Sequence, residues 1–447
     1  MLQPQQLRYN GPTVITLALF LMLSGSPASA ATAAAPGGAA SPEKVFTLED
    51  AQRLAVLNDP KVLSAEQDKI IAQEREREAR YLFLPEFGVQ ASATRYDAQY
   101  PFSLSHDFRN ILLFPNNSQF GGNTGDIFSG RGYMNLSLFE GGRTLNTLRL
   151  AEAANKQANS ELESIKLDLA LSVQEVFYRL ILAQERAFAA DQNERGAEDV
   201  LSGTKLDTWD RVDAEAQLAS ARAKASEARH QLALARLSFL KGVNVELDTA
   251  FSVSGSLESA PVNPDIDKLI LWAMELRPEL QAETYRAQMD AISVNLAAAR
   301  RIPTLFASGD YEFTKDRFPV NRSNWDMSIG VRVPFSYDYF TQLRRKRAEQ
   351  RQGQLKRAEL QDRVRLEVRQ AYETLTYWQN EWPQREAQYK KIQVLYDSGP
   401  RQGGSPLSRL RAAAGLLDLK VSFLSAVTEH RLALARLERA VGRQLAP

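Results

Sequence analysis

The sequence predicts a mainly helical protein with a membrane β-barrel part, organised as two structural repeats, each carrying long antiparallel coiled-coil helices and two strands. Three observations predict it. Markers recur at a constant offset of 218, with Ala55, Pro60, Ala79 and Pro85 matched by Ala273, Pro278, Ala297 and Pro303. Helical stripes without proline or glycine run for about fifty residues, as from Arg143 towards Gly196. Four short segments alternate apolar and polar residues with period two, the clearest being Trp325, Met327, Ile329, Val331, Val333 and Phe335 against Asp326, Ser328, Gly330 and Arg332.

In chain order, residues 1–30 read as a cleavable secretory signal peptide. Arg8 supplies the positive end, an apolar run follows, and Ala28-Ser29-Ala30 makes a small-residue cleavage site. Residues 31–42 form a flexible alanine- and glycine-rich segment. The first repeat spans 43–260, with strands at about 86–99 and 130–140 and long helices at about 142–200 and 206–241. Phe87, Val89, Ala91 and Ala93 define one strand; Met134, Leu136 and Leu138 define the other. The glycine-rich "GGNTGDIFSGRG" lacks the Lys–Ser/Thr of a phosphate loop and is assigned to an extracellular loop between them.

The second repeat spans 261–447, with strands at about 304–314 and 324–336 and long helices at about 340–396 and 407–442. Pro383 predicts a kink in the first of these helices. Leu407, Leu410, Ala414, Leu417, Val421 and Leu424 form a coiled-coil seam in the second. Tyr337, Tyr339 and Phe340 follow directly on the last strand, and Arg344 and Arg345 open the run "RRKR". That order suits a membrane interface, with aromatic rings and then cations against outer-membrane lipid.

Composition narrows the function. Lys+Arg number 55 and Asp+Glu 54, so no nucleic-acid partner is implied. Cysteine is absent, which removes disulfides, thiolate metal sites and a lipid-bearing cysteine. His106, His230 and His430 are isolated and read as solvated surface; no catalytic residue, metal ligand or cofactor is expected. No segment is apolar enough for a spanning helix, so entry into a membrane must use strands. Four strands cannot close a barrel alone, and two or three copies would supply eight or twelve. The rival reading is a secreted, soluble coiled-coil scaffold, which leaves the alternating strands unexplained; an exported enzyme is a weaker one.

The residues "TLEDAQRLAVLNDPKV", "LPEF", "IPTLF", "LFEGGR", the helices bearing Tyr178 and Tyr372, and "SGTKLDTWDRVDAEAQL" occur in an order that resembles the TolC family of bacterial outer-membrane efflux proteins. The resemblance covers essentially all of the chain after the leader. It implies a homotrimer with a twelve-stranded barrel in the bacterial outer membrane and a helical periplasmic tunnel. Its expected role is the exit duct of a tripartite efflux or type I secretion system, working with a periplasmic adaptor (membrane fusion) protein and an inner-membrane efflux pump or secretion ATPase. It further implies a periplasmic entrance at Asp210, Asp213, Ser408 and Arg411, and adaptor-docking tips at Gly203, Thr204, Gly399 and Pro400. Ser408 and Arg411 replace aspartates of acidic-entrance relatives, so Arg411 paired with a carboxylate such as Asp210 is the expected closure. "VPFSYDYF" lacks the glycine pair seen at Gly141-Gly142, so the second return to helix is expected to be built differently.

Overall fold

The computed structural model describes residues 44–96, 125–203, 207–255, 257, 259–315, 322–398 and 406–445. The expected leader, the segment 31–42, His106, Thr204, Gly399 and Pro400 lie outside the described residues.

The repeat is visible as matched elements. Helices α1 (Leu48–Asn58) and α2 (Pro60–Tyr81) correspond in length to α5 (Ile266–Leu276) and α6 (Pro278–Ala299). The long helices α3 (Arg143–Gly203) and α7 (Tyr339–Ser398) contain 61 and 60 residues, which makes each a rod of about 90 Å. Each folds back through an antiparallel partner of 36 residues, α4 (Thr208–Val243) and α8 (Pro406–Val441). Helix α7 remains helical through Pro383, where a kink was expected.

Local chemistry sets the helix ends. Asp59 caps α2, its carboxylate accepting from the amides of Lys61 (2.8 Å) and Val62 (3.3 Å), while Pro60 occupies the first turn, where no amide hydrogen is needed. Helix α4 stops at Asn244, whose left-handed φ of 55° ends the helical course. The Asn244 side chain then donates to Asp59 at 3.0 Å. The end of α4 therefore meets the start of α2, and both lie along α3. In the second repeat the same junction brings Gly442, φ 78°, against Arg277 at the start of α6. Arg277 makes no capping bond and reaches Glu367 instead.

Apolar side chains concentrate at these changeovers. Phe46, Phe177, Phe239 and Phe251 form one aromatic cluster, with ring centroids 5.1 Å apart for Phe239–Phe251 and 5.8 Å for Phe46–Phe239. Two three-residue strands not read from the sequence, β1 (Lys44–Phe46) and β4 (Phe251–Val253), pair in parallel and fix that cluster. Leu269, Val364, Val368, Leu375, Leu437 and Val441 form the second core. His430 lies in the same dense stretch of α8 and is completely buried, not solvated as expected. Its sequence counterpart His230 is exposed, because fewer helices converge on α4.

Four strands form one antiparallel sheet in the order β2 (Glu86–Tyr96), β3 (Gly125–Phe139), β5 (Thr304–Lys315), β6 (Arg322–Arg332). The β3–β5 ladder joins the two repeats, so the halves make one wall. Strand β3 begins five residues before the expected 130, absorbing part of the glycine-rich stretch that was assigned to a loop. Strand β6 stops at Arg332, short of the expected 336, because Pro334 lacks the amide that would continue the ladder. A bulge between Ser137 and Phe139 leaves Leu138 as the extra residue, and Phe139 takes the place opposite Leu305.

Candidate channel wall and entrance

Register decides what each sheet face presents. Phe87 stands opposite Met134, Met134 opposite Gly309, and Gly309 opposite Met327. The same face carries Val89, Ala91, Leu136, Leu305, Ala307, Tyr311, Phe313, Trp325, Ile329 and Val331, with Val89 90% and Ile329 75% exposed. The other face is polar. Ser92 bonds Ser129 at 2.8 Å, Ser308 bonds Ser328 at 2.7 Å, and Arg131 pairs with Asp310 at 3.0 Å. An apolar exposed face backed by a hydrogen-bonded polar face is the pattern of a barrel wall between lipid and water.

Two aromatic rings lie across glycines on the polar face. Tyr133 covers Gly88, and Phe306 covers Gly330, where an added Cβ would come within 2.6 Å of the ring. Gly330, one of the residues that alternate with the apolar row, is therefore covered by its neighbour's ring.

The strand-to-helix returns differ between repeats. In the first, Gly141 and Gly142 take φ of 63° and 81°, which only glycine adopts freely; a Cβ on Gly141 would press within 2.6 Å of Ile302. In the second, Asp338 does the work. The Ser336 hydroxyl and Gln342 amide donate to its carboxylate, and the Ser336 bond above all holds its pKa below the usual range. Around this return Tyr337 is 94% exposed, and the Arg301 guanidinium lies 5.8 Å from the ring centres of both Tyr339 and Phe340. Arg344 and Arg345 are exposed, with Arg345 3.5 Å from Glu349.

At the opposite end the α3–α4 and α7–α8 hairpins meet. Leu410 packs with Ala197, Leu218 and Ala221, and beside it Arg411 forms an ion pair with Asp213 of α4. The expected partner Asp210 is one helical turn nearer the tip, exposed and without an ion pair among the described residues. Spacing could not distinguish the two carboxylates; the relative rise of α4 and α8 does. Ser408 is exposed at the start of α8, and Gly203 is the last residue of α3. Sequence reading passed over Trp209, whose ring is 80% exposed beside the tip. A tryptophan just after an N-capping Asp207 was the available signal.

Ion pairs lace the hairpins together: Lys224–Asp418 at 3.2 Å, Lys420–Glu185 at 3.4 Å and Arg436–Glu175 at 2.7 Å. They end at a cleft of about 520 Å³ bordered by Arg277, Glu367 and Arg439. Arg439 bridges Asp168 at 2.6 Å and Glu279, and Arg277 holds Glu367 at 2.6 Å. Burial acts to raise the Glu279 pKa, but the bond from Arg439 and the charges of both arginines outweigh it, so the carboxyl sits below its usual range. No group of three or more metal-ligating side chains occurs among the described residues.

Residues 52–250 match the family model described as outer membrane efflux protein. That segment, just under half of the chain, is similar to the outer membrane efflux protein family. The matched part runs from within α1 to past the end of α4 and includes strands β2 and β3, and the second repeat has counterparts of these elements. No curated protein sequence matches significantly. The fold is shared with solved structures at low identity. A membrane protein from Pseudomonas aeruginosa superposes with TM-score 0.71 at 16% identity, covering 88% of this chain and 93% of that one. The Campylobacter jejuni CmeC outer membrane channel gives 0.70 at 16%, covering 90% and 87%. The Neisseria gonorrhoeae MtrE outer membrane channel gives 0.67 at 16%, covering 89% of each. At this identity the likeness to outer membrane channels is one of fold.

Proposed function

We propose that this chain is the exit duct of a tripartite efflux or type I secretion system. Three copies would close a twelve-stranded barrel above a helical periplasmic tunnel. A periplasmic adaptor would dock at the tips near Gly203, Thr204, Gly399 and Pro400, and an inner-membrane pump or secretion ATPase would deliver the substrate. The observation that carries this reading is the four-stranded sheet with one apolar exposed face, one polar face and two open edges, β2 and β6. In lipid an open edge would leave backbone groups unsatisfied at several kcal/mol each, so neighbouring copies must pair β2 with β6. Three copies, rather than two, leave an aqueous lumen, and the polar face with its Arg131–Asp310 pair suits water.

Closure is assigned to Asp213 and Arg411, with Asp210 and Ser408 lining the entrance around the axis. The test is the mass of the detergent-extracted protein together with its conductance in planar bilayers. Trimers forming ion-conducting pores are expected. A folded monomer in detergent, or trimers without conductance, would overturn the duct.

A further inference from the structure

We infer that the start of α7 is a binding site for the phosphate groups of anionic phospholipids, formed by Arg301, Arg344 and Arg347. This rests on the outer-membrane reading above. Residues 339–348 carry four cations and no anion, whereas the first ten residues of α3 carry two cations and Glu152. Cations gain nothing from the start of a helix, whose N-terminal dipole is positive. Glu349 engages Lys346 at 2.7 Å and Arg345 at 3.5 Å. Arg301, Arg344 and Arg347 are exposed and have no carboxylate partner among the described residues. The arginines near the end of α2 are, by contrast, already occupied, Arg77 by Glu74 at 2.6 Å and Arg80 by Glu76 at 2.5 Å.

Position points to lipid rather than to a soluble anion. The exposed apolar row of β6 continues through Val333 and Phe335 to Tyr337, and Arg344 and Arg347 follow within the first three turns of α7. Arg344 to Arg347 lie five to eight residues into α7, about 8–12 Å along its axis. Head groups occupy about 5–8 Å on each side of the hydrocarbon, so long arginine side chains can fold back to that level. Arg301, held over the Tyr339 and Phe340 rings, stands where the strand meets the helix. Guanidinium forks match phosphate oxygens two at a time, and the acyl chains would lie on the apolar face beside them.

The test uses the full-length protein in detergent micelles doped with phosphatidylglycerol or phosphatidylcholine, with retained lipid counted by native mass spectrometry. Wild type should retain phosphatidylglycerol about fivefold over phosphatidylcholine, from attraction of basic residues to anionic lipid. The Arg301→Gln, Arg344→Gln, Arg347→Gln combination should lose that preference, and the matching triple lysine variant should keep most of it. Inorganic phosphate should not displace the lipid. Equal retention of both lipids by wild type, preference surviving in the glutamine variant, or displacement by inorganic phosphate would each overturn the site. If the glutamine combination does not assemble, the three single substitutions are read in the same way. Wild type that inserts into bilayers without lipid preference removes only this site; wild type that does not insert removes the duct as well.

Discussion

A charge placed on the apolar face of β6 should be far more damaging than the same charge one residue away. From Trp325 to Phe335 the chain advances ten residues, about 34 Å when extended; a strand tilt of roughly 40° reduces this to about 26 Å along the membrane normal. That is close to the ~25 Å apolar band of outer-membrane barrels. Ile329, four residues along, then lies about 3 Å from the midplane, where an arginine costs about 2–4 kcal/mol per chain. In the proposed trimer the assembled barrel would lose about 6–12 kcal/mol. Ser328→Arg instead removes a 2.7 Å hydrogen bond to Ser308 on the polar face, worth about 0.5–1.5 kcal/mol, and leaves the new charge in water. The assay is the amount of trimer in outer-membrane fractions and its midpoint temperature of dissociation in detergent. Ile329→Arg should abolish or sharply lower both, and Ser328→Arg should change them little. Equal losses from the two substitutions would refute the assignment of faces.

Gly330→Ala should destabilise the barrel by about 1–3 kcal/mol, because the new methyl meets the Phe306 ring; Phe306→Ala in the same chain should recover part of the loss in the dissociation temperature. Arg411→Ala and Asp213→Ala should each raise single-channel conductance, while changing thermal stability by no more than about 1 kcal/mol because the pair is partly exposed; wild-type conductance in both would remove the closing role. Arg439→Ala should cost about 1–3 kcal/mol in denaturant unfolding, since Asp168 is largely exposed and Glu279 keeps Arg277 at 3.5 Å. Burial first, and then the charge of Arg431, lower the His430 pKa, so the unfolded chain binds its proton more tightly. The associated stability is present above the unfolded pKa of about 6.5 and is lost as pH falls below it. Melting followed from pH 8 to pH 5 should show that decline, and His430→Phe should flatten it.

Much of the architecture was legible because it follows from period and duplication. Period two over residues 325–335 needs only the alternation of side chains along a strand, and the 218-residue offset marked two equivalent helix-to-strand crossings at Pro85 and Pro303. Gly141-Gly142 announced its own turn, since positive φ is a local requirement. Tertiary structure alone decided the choices among neighbours. Asp213 rather than Asp210 meets Arg411 because two helices stand at a particular relative height, a quantity no single helix encodes. His230 and His430 occupy equivalent places in similar sequences, yet only His430 is enclosed, because α3, α5 and α7 all pack against α8. The displacement of Leu138 by Phe139 required the bulge, and the filling of Gly330 by Phe306 required the cross-strand register. Periodicity says which residues share a face; partners are chosen by the offset between elements, which arises only when the whole chain packs.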